Sequence, residues 1–248
     1  MMNPNTSDFN RGVVAPVECL KEGWALIKDQ YWLFLGISVV GVLIGSAFAI
    51  VLMGPMMCGI YLCLFQQMRG EQVSFDRLFK GFDFFGQSVI ATLIQMIPAV
   101  IIIIPVYLLM VFGMLASASA TGTRGGEGAA MAGFFGTMIV VFVVIMLLSV
   151  VLGVFFMFTF PLIVDRKLSG VDAVKTSVKA AMANFGGVLG LMLLNALLST
   201  CGVLACYVGA FFIMPITLAA HAIAYRRVFP ALAQNFESPP PPPAGWAS

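Results

Sequence analysis

The sequence has very few charged residues. Asp, Glu, Lys and Arg make up 10% of its 248 residues, whereas hydrophobic residues make up 60%. A soluble domain carries about 25% charged residues, so this composition excludes an ordinary soluble protein. Four stretches contain no charged residue, and each exceeds the ~20 residues with which a helix crosses a bilayer. These stretches are residues 31–68, 84–123, 128–164 and 180–225.

Side chains suited to catalysis or metal binding are also scarce. The chain has one histidine, His221, and five cysteines, no two of which have CxxC spacing. The stretches long enough to cross the membrane contain no Asp or Glu. This argues against transport coupled to buried carboxylates. The sequence contains no phosphate-binding glycine motif, and its basic residues are dispersed. We therefore expect no enzyme activity, no metal, no cofactor and no binding to nucleic acid.

The positive charges are distributed unevenly, which predicts the orientation of the chain. Of the 13 Lys and Arg residues, only Arg124 falls between the second and third charge-free stretches. The others lie before, between or after the remaining stretches, on what we take to be one side of the membrane. Cytoplasmic segments carry the excess of Lys and Arg. Both termini are therefore predicted to be cytoplasmic, with an even number of spans.

The charge-free stretches predict six transmembrane helices. Two stretches, 31–68 and 180–225, are long enough for a pair of spans each. We place the reversals at Gly45-Ser46 and at Ser199-Thr200-Cys201-Gly202. Each of the other two stretches is a single span, too long for the bilayer unless it tilts, bends or projects. Four prolines within the spans predict helix kinks: Pro55, Pro98, Pro105 and Pro215.

A short amphipathic segment precedes each pair of predicted spans. The sequence after Val17 aligns with the sequence after Val171, and a weaker copy begins at Phe75. We predict an all-α integral membrane fold of three degenerate repeats, each an interfacial amphipathic helix followed by a helical hairpin. The repeats cover about residues 16–69, 74–165 and 169–227 of a domain at 16–229, flanked by a disordered segment, 1–15, and a disordered Pro-rich tail, 230–248.

The amphipathic segments carry their charges on one face. In the first of them, Val17, Leu20, Trp24 and Ile27 share the apolar face. Such helices lie flat at the level of the headgroups and turn their lysines toward lipid phosphates. The alternative is that they only orient and anchor the spans. The predicted headgroup contacts are Lys21, Lys28, Lys80, Lys175, Lys179, Arg226 and Arg227.

Polar residues inside the spans are the remaining candidates for a functional site: Asn195, Gln95 and His221. Amides in lipid seek partners on neighbouring helices, so we expect Asn195 and Gln95 to join helices; the alternative is contact with a solute. His221 lies five residues before Arg226 and has no acidic residue near it in sequence. We expect it to form a hydrogen bond rather than to act as a base.

The segment FPLIVDRKLSGVDAVKTSVKAAMANFGGVLGLMLL carries a pattern of Pro161, Asp165, a central Ser177 and then Asn184-Phe185. It resembles uncharacterised bacterial polytopic inner-membrane proteins, which in turn resemble the membrane domain attached to some glycerophosphodiester phosphodiesterases. The resemblance implies a six-span protein of the bacterial inner membrane. It implies no activity, because the phosphodiesterase catalytic residues are not part of this pattern.

Two functions stay open at this point. The first is a non-catalytic membrane scaffold or accessory factor that contacts lipids and partner proteins, including further copies of itself. The second is a channel or transporter for a small neutral or amphipathic solute, since repeats and proline-interrupted helices are typical of transport folds. The second function predicts a polar-lined cavity that includes Asn195 or Gln95. An enzyme acting on lipid, with only His221, Tyr225 and Arg226 to serve it, is the least favoured.

Overall fold

The computed structural model describes residues 9–47, 51–120, 126–204 and 208–230. All regular secondary structure in these residues is helical, which confirms the predicted all-α class. Two 3₁₀ segments, Lys28–Gln30 and Phe75–Phe84, precede α2 and α4. The α-helices are α1 Pro16–Ile27, α2 Tyr31–Ala47, α3 Met53–Met68, α4 Phe85–Ala120, α5 Gly126–Phe156, α6 Thr159–Arg166, α7 Gly170–Ala183, α8 Phe185–Leu204 and α9 Val208–Val228.

Five helical segments among the described residues are long and apolar enough to cross a bilayer, which makes the chain a membrane protein. The helix α3 is not one of them. Its 16 residues reach ~24 Å at the helical rise per residue, short of the roughly 30 Å of hydrocarbon. Six full spans are therefore not confirmed. The five segments are Pro16–Ala47, Phe75–Gly113, Gly133–Arg166, Phe185–Leu204 and Val208–Val228.

Both predicted reversals are wrong, because their residues lie inside helices. Gly45 and Ser46 belong to α2, and Gly202 and the three residues before it belong to α8. A Cβ atom on Gly45 would lie 3.2 Å from Met53 Cα, and one on Gly202 would lie 2.8 Å from the backbone nitrogen of Ala210. These glycines let two helices approach closely just before the chain reverses. The connections at 48–50 and 205–207 lie outside the described residues.

The four prolines do not all occupy helix interiors. Pro98 and Pro105 lie inside α4 and Pro215 lies inside α9, and both helices continue through them. Pro55 is the third residue of α3. The first helical turn tolerates proline because its N–H groups have no intrahelical acceptor. The kink predicted at Pro55 is therefore wrong, and a bend at the other three stays a prediction.

The helix α1 packs lengthwise against α9, which contradicts the predicted flat orientation. At one end, Glu18 forms an ion pair with Arg227. Just past the other end, the Tyr31 hydroxyl donates to the carbonyl oxygen of Phe212 at 2.7 Å. Phe212 and Arg227 are 15 residues apart in α9 (227 − 212), or ~22 Å along its axis. A helix lying flat across one end of α9 would contact α9 at that end only, and not at both Phe212 and Arg227.

The buried face of α1 also differs from the predicted one. Gly23 and Ile27 are buried, whereas Val17 and Trp24 are exposed. A Cβ atom on Gly23 would lie 2.7 Å from the backbone nitrogen of Ala220, so glycine is required for this close contact with α9. The apolar residues that we expected to face one lipid surface are thus divided between a protein contact and the outer surface.

The helix α7 crosses the ends of α4 and α5, as an interfacial helix would. The N–H of Gly170 donates to the side-chain carbonyl of Gln87 at the start of α4, at 2.8 Å. The Ser177 hydroxyl donates to the Phe155 carbonyl at 2.7 Å and accepts from the Phe158 N–H at 3.2 Å. Ser177 therefore contacts both sides of the break between α5 and α6, which interrupts the third charge-free stretch.

The remaining amphipathic segment, Phe75–Phe84, which lies between α3 and α4, is a 3₁₀ helix rather than an α-helix. It packs against α3, and its Leu78 is fully buried. The three segments thus differ in helix type and in packing: one lies along a span, one lies across two spans and one lies along the short α3. This diversity leaves the threefold repeat unconfirmed.

Residues 9–15 are held against the helices, so the predicted disorder is wrong for this part of the N-terminal segment. The N–H of Asn10 donates to the Val228 carbonyl at 2.8 Å. The Asn184 side chain accepts from the Val13 N–H at 3.3 Å and donates to the Asn10 carbonyl at 3.0 Å. The rest of that segment, and nearly all of the Pro-rich tail, lie outside the described residues.

Candidate functional site

A cavity of about 290 Å³ lies among α3, α4, α5, α6, α8 and α9. Gln95 and His221 contribute polar side chains to its wall, and Tyr61 adds a ring with a hydroxyl group. Most of the remaining lining is apolar and includes three flexible methionines. No Asp, Glu, Lys or Arg is among the lining residues. The methionines are Met57, Met157 and Met192.

The structure brings together the three polar residues that the sequence singled out. The Asn195 side-chain nitrogen lies 2.8 Å from Nε2 of His221, in a hydrogen bond whose direction depends on the tautomer of the imidazole. Asn195 is only 6% exposed. The expected interhelical contact of Asn195 is therefore present, between α8 and α9, and Gln95 lies in the wall of the same cavity.

Two atoms of this polar group have unmet hydrogen-bonding capacity. Gln95 Nε2 and Asn195 Oδ1 are buried and have no partner among the described residues. A buried polar atom without a partner costs about 1–3 kcal/mol. The cavity thus offers one free donor and leaves one free acceptor close by, without a charged side chain. This chemistry suits a small, uncharged, largely apolar molecule with a hydrogen-bonding group.

An ion pair lies about one helical turn beyond His221, at the end of α9. Arg226 donates to both carboxylate oxygens of Asp165, at 2.7 and 2.9 Å, and the Tyr225 hydroxyl donates to the same carboxylate at 2.8 Å. The Arg226 guanidinium also lies 4.4 Å from the centre of the Phe65 ring. This geometry corrects one expectation: Arg226 is committed to Asp165 rather than to a lipid headgroup.

Arg227 is likewise not free to bind lipid. It donates to Glu18 at 2.9 Å and to Glu22 at 2.7 Å, and so fixes α1 against α9. The other predicted headgroup contacts are exposed and form no ion pair with a described residue. Their contact with lipid stays a prediction. They are Lys21, Lys28, Lys80, Lys175 and Lys179.

Neither a family model, nor a curated protein, nor a solved structure matches the chain. The resemblance to bacterial inner-membrane proteins therefore stays a prediction. In this structure, the pattern that carries it has a structural explanation: Asp165, Ser177 and Asn184 each bind a segment that is distant in sequence. Function has to be argued from the cavity and from the surfaces of the helices.

Proposed function

We propose that the chain is a non-catalytic polytopic membrane protein, a scaffold or accessory factor whose α4–α5 hairpin contacts lipids and partner proteins. The length of this hairpin carries the proposal. From Gln95 in the cavity wall, α4 continues to Ala120, which is 25 residues (120 − 95) or ~37 Å. From Met192, α8 continues only to Leu204, or ~18 Å. The hairpin therefore extends well past the other helices that line the cavity.

The surface of the hairpin is apolar and uncovered by the rest of the described chain. Ile101 and Phe112 of α4, and Phe142 of α5, are among its most exposed residues. Gly133 and Gly136 of α5 face open space, and small residues in a membrane helix allow a second helix to approach closely. These features support contact with a protein as well as with lipid.

Photo-crosslinking tests the hairpin surface. With p-benzoylphenylalanine at Phe142, we expect irradiation in native membranes to give a discrete protein adduct, either with a partner or with a second copy. The control places the probe at Leu197 of α8, which is 66% exposed against 68% for Phe142, and should give lipid adducts only. Identical adducts at the two positions would contradict the proposal.

The proposal also includes the finer organisation that the sequence suggested. A short amphipathic segment followed by two helices occurs three times, as α1 to α3, as the segment Phe75–Phe84 with α4 and α5, and as α7 to α9. This order supports a threefold repeat of six membrane helices, with α2–α3 as a hairpin shorter than the bilayer. Arg226 and Arg227 in the last turn of α9, together with the exposed Lys80, Lys175 and Lys179, support cytoplasmic termini. We place the chain in the bacterial inner membrane on the resemblance described above.

A second candidate, a channel or transporter for a small neutral or amphipathic solute, is favoured by the cavity. Gln95 and His221 line it, and Asn195 is bonded to His221. A transporter predicts such a polar-lined cavity with Asn195 or Gln95, whereas a centre packed only with apolar side chains would count against it. An uncharged wall suits an uncharged solute, since burying an unpaired charge there would be costly.

Solute flux separates the two candidates. For a scaffold, we expect purified protein in liposomes to give no saturable uptake of glycerol or erythritol. Saturable uptake that Asn195→Leu abolishes and Thr200→Val preserves would instead establish the transporter. Thr200 is a suitable control because it lies on the same helix and its hydroxyl donates to the Ala196 carbonyl of that helix, at 2.8 Å.

A further inference from the structure

A second concave pocket, of about 540 Å³, lies where α1 joins α2. The joint is the 3₁₀ segment Lys28–Gln30, and the charge-free stretch begins at the next residue, Tyr31. Tyr31 binds the carbonyl oxygen of Phe212, which is four residues (212 − 208) from the first residue of α9. The pocket therefore lies near the end of α9 opposite Arg227, at a border of the bilayer. Its volume lies within the roughly 300–1,000 Å³ that is typical of ligand sites.

One wall of this pocket consists of aromatic rings that are held in place. The ring centres of Trp24 and Tyr31 are 5.5 Å apart, and those of Tyr31 and Trp32 are 5.8 Å apart, both in edge-to-face arrangements. The hydrogen bond from the Tyr31 hydroxyl to Phe212 ties this wall to α9. Tryptophan and tyrosine concentrate at membrane interfaces, in agreement with the position of the pocket.

The same pocket contains one positive and one negative side chain. Lys28 and Asp29 both line it. Both are exposed, and neither forms an ion pair with another described residue. On the same helical segment, Glu18 and Glu22 are instead neutralised by Arg227. The pocket therefore presents two opposite, unpaired charges beside aromatic faces.

We propose that this pocket binds the headgroup of one zwitterionic phospholipid. The Lys28 ammonium group binds the phosphate, while the Asp29 carboxylate and the faces of Trp24 and Tyr31 bind the ammonium group of ethanolamine or choline. Phosphatidylglycerol has no ammonium group for Asp29 and is disfavoured. The inference rests on the proposed contact with lipid and specifies the class of lipid and the residues that select it.

Native mass spectrometry of the full chain, with equal amounts of phosphatidylethanolamine, phosphatidylcholine and phosphatidylglycerol, tests the site. We expect the first bound lipid to be zwitterionic, with a preference of roughly three- to tenfold over phosphatidylglycerol. Asp29→Asn should abolish the preference, and Lys28→Met should weaken the first binding event for all three lipids. Lys21→Met and Asp172→Asn, both outside the pocket, should change neither property.

Equal binding of the three lipids by the unmodified chain would overturn the site. So would a preference that survives in Asp29→Asn, or an effect of Lys21→Met equal to that of Lys28→Met. The outcome is separable from that of the scaffold proposal. Loss of the lipid preference with intact protein adducts at Phe142 removes only the headgroup site. Absence of those adducts with an intact preference removes only the scaffold.

Discussion

Asp165→Ala is expected to destabilise the chain by about 3–5 kcal/mol, the cost of removing one partner of a buried ion pair. The Asp165 and Arg226 side chains are only 15% and 22% exposed, so water cannot fully replace the lost carboxylate. The substitution leaves the Arg226 guanidinium and the Tyr225 hydroxyl without their acceptor. Thermal unfolding in detergent, followed by loss of the monodisperse peak in size-exclusion chromatography, measures the effect.

Two further variants show whether the loss of stability comes from burial of the ion pair or from the removal of any paired carboxylate. Glu71→Ala removes a carboxylate that is also paired with an arginine, Arg69, at 2.6 Å, but these side chains are 47% and 50% exposed. Solvent screens such a pair, so little change is expected. The double variant Asp165→Leu with Arg226→Met should be more stable than Asp165→Ala, because it leaves no unpaired charge. Equal losses from Asp165→Ala and Glu71→Ala would contradict this account.

Gly81→Ala is expected to cost at least about 3 kcal/mol and to reduce sharply the yield of folded protein. An added Cβ would collide with the Pro55 carbonyl oxygen and would lie 2.5 Å from the Gly59 backbone nitrogen. Both obstacles are backbone atoms of α3, so no side-chain rotation relieves the collision. The segment Phe75–Phe84 would have to separate from α3 and expose Leu78. Yield and unfolding temperature of the purified chain are the measurements.

Gly86→Ala is the matched control for this prediction. A Cβ at Gly86, in the first turn of α4, would meet no atom within 4 Å. Alanine also favours a helix over glycine by up to about 1 kcal/mol, so stability should be unchanged or slightly higher. Gly59→Ala, whose Cβ would collide with the Leu78 carbonyl, should behave like Gly81→Ala. If all three substitutions had the same effect, close backbone contact would not be the cause.

The sequence was sufficient to predict the class of the fold, because charge-free stretches longer than a bilayer permit few structures other than helices. It was not sufficient for the orientation of α1. In a membrane, an apolar face is equally compatible with lipid and with another helix, so periodicity could not show that Gly23 packs against α9 or that Ile27 is buried. Glycine was ambiguous in the same way: Gly45 and Gly202 permit a turn, but they also permit close packing of helices.

The candidate site was predicted in its residues but not in its geometry. Asn195, Gln95 and His221 stand out as polar residues in apolar stretches. A reversal at Ser199 to Gly202 places Asn195 opposite residue 206 or so, far from His221. The observed α8 continues to Leu204, which shifts the register and brings Asn195 to His221, 26 residues later. The pairing of Asp165 with Arg226 joins residues 61 apart, and no local pattern encodes it.

The packing of α9 has a consequence for biogenesis. Among the described helices, the last contacts the first: Arg227 of α9 binds Glu18 of α1, 209 residues earlier. Val228 also accepts from the N–H of Asn10, which precedes α1. During synthesis, α1 leaves the ribosome long before α9, the helix against which it packs. Asp165 is likewise made before its partner Arg226. The bundle cannot close hairpin by hairpin as it emerges. A chain truncated before α9 would leave the largely buried carboxylate of Asp165 without Arg226, and the exposed carboxylates of Glu18 and Glu22 without Arg227.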